Sequence, residues 1–255
     1  MIATHYFELF REFFITDFKL RYKHSILGFF WVVLKPLSYY AVMFIVWTSL
    51  FGNTANFASY LLIGILILNF FTEGVQFGMQ SLQNKAHIIL KVNFPREVVV
   101  FSSIAIAAIN FLINMGIYFL FRIASQSPLV SNTWWYLFLG LFCLVTLLLG
   151  IAFFISIISI RYHDIKHLVE LLLQLTFWAT PIFYKIESLP QQIAQIISTL
   201  NPLVPVLLMV RAGVLPDSSI PSTLLILATV TFSCVFAFTG YVFFKRSLPK
   251  IAEFF

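Results

Sequence analysis

Apolar stretches of about 20 residues recur along this chain, and a stretch of that length with almost no charge satisfies its backbone most readily as a helix crossing a bilayer. Such runs are read at about 31–51, 60–82, 98–121, 134–160, 168–184 and 222–244. Of the 255 residues, 60% are hydrophobic and 10% are charged. A soluble domain carries roughly 25% charged residues. The 31 phenylalanines are spread over the whole length, so the apolar character does not belong to one anchor on a soluble body. The predicted fold is therefore an all-α integral membrane protein of six transmembrane helices. It forms one domain, 1–255, without internal repeats or low-complexity tracts.

Two segments outside the spans have helical character of their own. Over 4–24, Tyr6, Phe7, Phe10, Phe13, Phe14 and Phe18 recur at helical spacing among Glu8, Arg11, Glu12, Asp17 and Lys19. This pattern predicts an amphipathic helix in the membrane interface rather than a cleaved leader, which needs an uninterrupted apolar core. The segment 187–217 is apolar but broken. Ile193, Ile196, Ile197 and Leu200 follow Pro190 at i, i+3, i+4, i+7, and Asn201-Pro202 stops that helix before a second one over 203–214. Neither piece is long enough to span, so two short outer helices are expected between spans five and six.

The net charge of +6 is distributed between the apolar runs rather than gathered in a patch, which reads as topology and not as nucleic-acid binding. With the N-terminus inside, Arg122, Lys185 and Arg211 are the basic residues on the outer side, and the other thirteen of the 16 fall inside. Under the positive-inside rule this puts both termini in the cytoplasm and Trp134-Trp135 at the outer interface.

Chemistry-bearing patterns are sparse. The chain has no G-x-x-x-x-G-K-[ST], H-E-x-x-H, C-x-x-C or G-x-S-x-G motif. His163 and His167 stand at i, i+4 with no third ligand nearby, so neither a metal site nor a catalytic residue is assigned. Cys143 and Cys234 lie in apolar runs and are read as packing residues.

Three stripes and a connector remain. On the second span Asn69, Glu73, Gln76 and Gln80 share one face, either lining a path for polar cargo or hydrogen-bonding between helices. Gly74 and Gly78 form a GxxxG on the same helix, and Asn110 and Asn114 form a weaker polar pair on the third. On the first span Tyr40, Phe44, Trp47 and Phe51 make an aromatic stripe, suited to stacking on sugar rings or to packing. The connector 83–97 holds Ile88-Ile89-Leu90 between polar flanks, a docking element for a soluble motor or a plain link.

The segment from Arg21 to Leu37, RYKHSILGFFWVVLKPL, resembles the opening of type-2 ABC exporter permeases, and more narrowly the Wzm branch that exports O-antigen, capsule and teichoic-acid polymers. Asn93-Phe94-Pro95-Arg96-Glu97, Arg161-Tyr162-His163-Asp164-Ile165 and Leu200-Asn201-Pro202-Leu203 resemble later segments of that family in order and spacing. The resemblance implies a homodimeric permease in the bacterial inner membrane that moves a lipid-linked polysaccharide. Two separate ATP-binding cassette subunits would hold ATP and Mg, and this chain would carry no cofactor. It implies a substrate entrance at Arg21, Lys23, Leu27 and Gly28, near a pyrophosphate. It implies a channel lined by aromatic side chains, for which Tyr40, Phe44, Trp47 and Phe51 are the candidates; Asn69, Glu73 and Gln76 join them if the polar stripe lines the path. Contact with the ATPase falls to Lys85, Lys91, Phe94, Pro95, Arg96 and Glu97, and an outer gate to Pro190, Ile197, Asn201 and Pro202. For Arg21 and Lys23 the plain alternative is holding anionic lipid heads. Rival functions are a type-2 exporter of drugs or lipids, and a membrane-embedded glycosyl- or acyltransferase.

Overall fold

The computed structural model describes residues 2–23, 28–51, 56–92, 94–162, 164–216 and 218–249. Leu27, Asn93, His163, Lys250 and the side chain of Phe51 lie outside the described residues. Ten α-helices are described: α1 Ile2–Tyr22, α2 Trp31–Phe51, α3 Phe57–Gln80, α4 Ala86–Ile89, α5 Glu97–Ala124, α6 Trp135–Arg161, α7 Ile165–Ala179, α8 Gln191–Leu200, α9 Leu203–Val214 and α10 Thr223–Ser247. Short 3₁₀ turns sit at Gly28–Phe30, Gln83–Lys85 and Ile186–Ser188.

Five helical stretches are long and apolar enough to cross a membrane: Gly28–Leu50, Phe57–Gln80, Glu97–Ala124, Trp135–Arg161 and Thr223–Ser247. The pair α8 and α9 passes that test only if taken together, and it is bent by 100°. The run expected to be the fifth span, 168–184, is helical only to Ala179. The 15 residues of α7 reach about 22 Å, short of a hydrocarbon core of about 30 Å. The helix ends where Thr180 turns extended, immediately before Pro181, since proline disfavours the helical conformation of the residue preceding it.

α6 is the central helix. It packs against α3, α9 and α10, and its small residues let the neighbours approach closely. A Cβ added to Gly78 of α3 would lie 2.5 Å from Cβ of Ala152 on α6. One added to Gly240 of α10 would lie 2.7 Å from the carbonyl oxygen of Gly150. The main core gathers Leu62, Phe70, Phe111, Leu144, Leu148, Val206 and Val210 from α3, α5, α6 and α9. α2 lies at the periphery, buried at Val32 and Pro36 and exposed at Tyr39, Val42, Ile45, Val46 and Leu50.

Two ends can be distinguished. At the basal end, α1 lies across the start of α5, with Phe13 and Phe94 at 5.3 Å between ring centroids. The 83–96 connector and the last turn of α10 meet there as well. At the distal end lie the turns 125–134 and 180–190, the α8–α9 pair, and the segment leading into α10.

Candidate functional site

The basal end contains a cleft of about 710 Å³ between α1, the last turns of α3 and the connector. Its polar lining comprises Arg21, Gln76, Gln80, Asn84, Lys85, His87 and Asp17. Arg21 stands with its guanidinium carbon 3.4 Å from the ring centroid of Phe77, a cation–π contact that holds its flat face in place. Lys23 is exposed nearby. Gly28 has φ +46°, in the left-handed region, so a side chain there would strain the turn that leads from α1 into α2. The cleft thus offers the Arg21 guanidinium and three amides, with Lys85 paired to Asp17, a set that can hold an anionic group beside hydroxyl-bearing ones.

The polar stripe of α3 divides. Gln76 and Gln80 face the cleft, whereas Asn69 and Glu73 point into a junction of α2, α3 and α5. There Asn110 Nδ2 donates to Glu73 Oε2 at 3.0 Å, and Asn114 Nδ2 donates to the Val32 carbonyl at 3.1 Å. The space at this junction is about 10 Å³, far too small for a sugar ring. Hydrogen bonding between helices is the role this geometry gives Glu73, Asn110 and Asn114.

The aromatic stripe of α2 also turns inward. Tyr40 and Phe44 stack at 5.6 Å, Phe44 meets Phe57 at 6.4 Å, and Trp47 lies on Phe183 at 4.5 Å. These rings close a small core with Leu61, Ile65 and Ile182. Within one chain they are packed against α3 and the end of α7.

The connector residues are mostly internal staples. Lys85 is buried and ion-paired with Asp17 of α1. Glu97, also buried, meets Lys245 of α10 at 2.6 Å and accepts from the Tyr6 hydroxyl at 3.4 Å. Arg96 donates to the Leu248 carbonyl at 3.0 Å, and Phe94 rests on Phe13. Pro95 is half-buried beside them. Of the residues singled out in the connector, Lys91 alone is exposed, flanked by exposed Leu90 and Val92.

At the distal end Asn201 holds the break between α8 and α9. Its Nδ2 donates to the Ala179 carbonyl at 3.2 Å and to the Thr180 hydroxyl at 2.9 Å, while Oδ1 accepts from the Leu203 amide at 3.0 Å. One side chain therefore caps α9 and ties it to the end of α7. Pro190 and Pro202 precede α8 and α9, and Ile197 is half-buried on α8.

Two residues that the charge count treats as loop cations have another role. Arg211 on α9 is 1% exposed. It donates to the carbonyls of Pro181 at 2.6 Å, Tyr60 at 3.1 Å and Ile182 at 2.9 Å, and stacks on the Tyr60 ring at 3.4 Å. Two of its partners, the Pro181 and Ile182 carbonyls, lie just past the end of α7 where no helical donor reaches them, and the third is in the first turn of α3. Irregular backbone at membrane depth persists where protein groups satisfy it, and Arg211 supplies the donors. Arg122 does the same for the Pro128 and Val214 carbonyls. A cation inside the apolar run 203–214 is the sequence signal for such an anchor. Asn84 and His87 in the cleft carry no comparable signal, whereas Gln80 belongs to the polar stripe.

The ABC-2 type transporter family model matches residues 8–215. The O-antigen export system permease protein RfbA of Myxococcus xanthus is 25% identical over 242 residues, which cover 93% of this chain and 91% of that protein. Two proteins of the same name from Klebsiella pneumoniae are 27% and 28% identical over 194 and 195 residues, each match covering 75% of this chain and 74% of theirs.

Proposed function

The chain belongs to the ABC-2 type transporter family, and from that membership we propose that it is the membrane permease of an ATP-driven exporter of lipid-linked, O-antigen-like polysaccharide. The observation that carries this reading is the likeness to an O-antigen export permease along 93% of the chain. In this reading two copies assemble with two separately encoded ATP-binding subunits in the bacterial inner membrane. Both termini and the basal end face the cytoplasm. Arg21, Lys23 and Gly28 belong to the entrance, where a pyrophosphate would meet the guanidinium and the close turn while the amides of Gln76, Gln80 and Asn84 meet the adjoining sugars. Leu90, Lys91 and Val92 present the connector to the ATPase. α7 and the bent Thr180–Tyr184 segment after it make the fifth crossing, and α8 and α9 form the outer gate. ATP and Mg are held by the partner, and this chain performs no hydrolysis.

Reconstitution tests the reading. The permease co-purified with its ATPase is placed in vesicles with lipid-linked O-antigen on the outside and the ATPase face outward. ATP-dependent protection of the glycan from an added glycosidase is expected, together with stimulated hydrolysis. Transport of a small drug or a free phospholipid, without glycan protection, would overturn it.

A further inference from the structure

The distal end carries a second cavity, of about 690 Å³, between α8 and the first half of α10. Its two walls differ. Gln191, Gln195, Ser198 and Thr199 recur at i, i+4, i+7, i+8 and face the cavity, so α8 turns its polar side inward. Its isoleucines face the other way, with Ile193 46% and Ile196 56% exposed, while Leu200 closes the end of the cavity. An interfacial helix buries such an apolar face in lipid. The α10 wall is mostly apolar, with Leu224, Leu225, Ala228 and the half-exposed ring of Phe232, and carries Ser222 and Thr229 among them.

Hydrogen-bonding capacity on the polar wall is unspent. The hydroxyls of Ser198 and Thr199 donate to Ala194 and Gln195 carbonyls of their own helix, which leaves oxygen lone pairs toward the cavity. The Gln191 and Gln195 side chains make no hydrogen bond to the described residues. They bring donors and acceptors together. No Lys or Arg lines the space, and its single charged residue is Glu187. A phosphate needs a cation. These walls offer none. A sugar ring has hydroxyls on its edge and C–H groups on its faces, so it matches one wall with each.

We propose that this cavity is a binding groove for an uncharged stretch of glycan. Passage along α8 and α10 would place hydroxyls on Gln191 and Gln195 and a ring face on Phe232. This rests on the polysaccharide reading above and deepens it. The two cavities then divide the labour by charge, with cations only at the basal one. Freed of cations, the distal groove lets a glycan slide without its anionic head being captured there.

The test uses the assembled exporter in living cells, with the photoreactive residue p-benzoylphenylalanine placed singly at Gln195, Phe232, Ile193 and Gln80. Illuminated adducts are analysed by mass spectrometry for hexose or for phospholipid. Hexose adducts at positions 195, 232 and 80, and not at 193, are expected. Gln195→Leu should lower the adduct yield at 232 several-fold while the folded amount stays constant. Hexose at 80 with none at 195 and 232 would overturn the groove and leave the exporter reading intact. Phospholipid as the adduct at 195 and 232 would overturn the groove in favour of a lipid site. Absence of hexose at every position, with no export, would remove both readings.

Discussion

Gly64 of α3 makes the room that the guanidinium of Arg211 occupies. A Cβ at position 64 would lie 2.7 Å from Arg211 Nη2, and the same nitrogen donates to the Tyr60 and Ile182 carbonyls. The glycine and the arginine form one joint between α3, α9 and the end of α7.

Gly64→Ala should therefore destabilise the detergent-solubilised protein by about 1–3 kcal/mol, the usual cost of overpacking. Arg211→Met relieves the crowding but strips donors from the Pro181 and Ile182 carbonyls beyond the end of α7, at about 1–3 kcal/mol each. The double variant should be no more stable than Arg211→Met alone. Thermal unfolding followed by tryptophan emission measures this; full stability in Arg211→Met would refute the joint.

Glu97 and Lys245 should be coupled. Lys245→Gln leaves a buried carboxylate facing only the Tyr6 hydroxyl, whereas Glu97→Gln with Lys245→Gln replaces the pair by neutral groups. Because the Lys245 side chain is 40% exposed, a coupling of about 1 kcal/mol is expected, below that of a fully buried pair. A double-mutant cycle in urea reads it directly. Strict additivity would mean that the contact contributes nothing.

Single alanine substitutions at Tyr40, Phe44 and Trp47 should lower export and the amount of folded protein together. The Trp47 ring lies on Phe183 at 4.5 Å, so Trp47→Ala opens a void between α2 and the end of α7, and its cost is bounded by the about 3–5 kcal/mol of a fully buried ring. Fluorescence size-exclusion profiles measured beside export rates decide the matter. Slowed export at full folded yield would return the stripe to the transport path.

Topology is best probed at exposed positions. Lys85 and Arg122 are buried, so thiols placed there report packing. Lys91→Cys and Asn132→Cys are exposed at opposite ends. In a background with Cys234→Ala, Cys143 being buried, an impermeant maleimide added to intact cells should label position 132 and spare position 91. The reverse pattern would invert the orientation.

The all-helical, membrane-bound character is legible in the sequence because hydropathy is a property of each segment alone. Contacts between segments are not. Lys85 and Glu97 look like surface charges of a connector until Asp17 and Lys245, distant in the chain, are brought to them. The spacing of Tyr40, Phe44 and Trp47 defines a face but does not name what that face meets. Arg122 and Arg211 count as loop cations in any charge tally, yet their length lets them fold back onto carbonyls inside the protein. The end of α7 at Thr180–Pro181 is visible as a proline, and its burial depends on Arg211.

The Glu97–Lys245 contact also sets an order on biosynthesis. The two residues are 148 positions apart, so at about 5–20 residues per second the lysine emerges roughly 7–30 s after the carboxylate. Through that interval Glu97 has no cation from α10, and the basal ends of α5 and α10 have no ionic bond between them. A chain truncated before its last helix never acquires one. Completion of synthesis is thereby marked at the base of the protein by the pairing of Glu97 with Lys245.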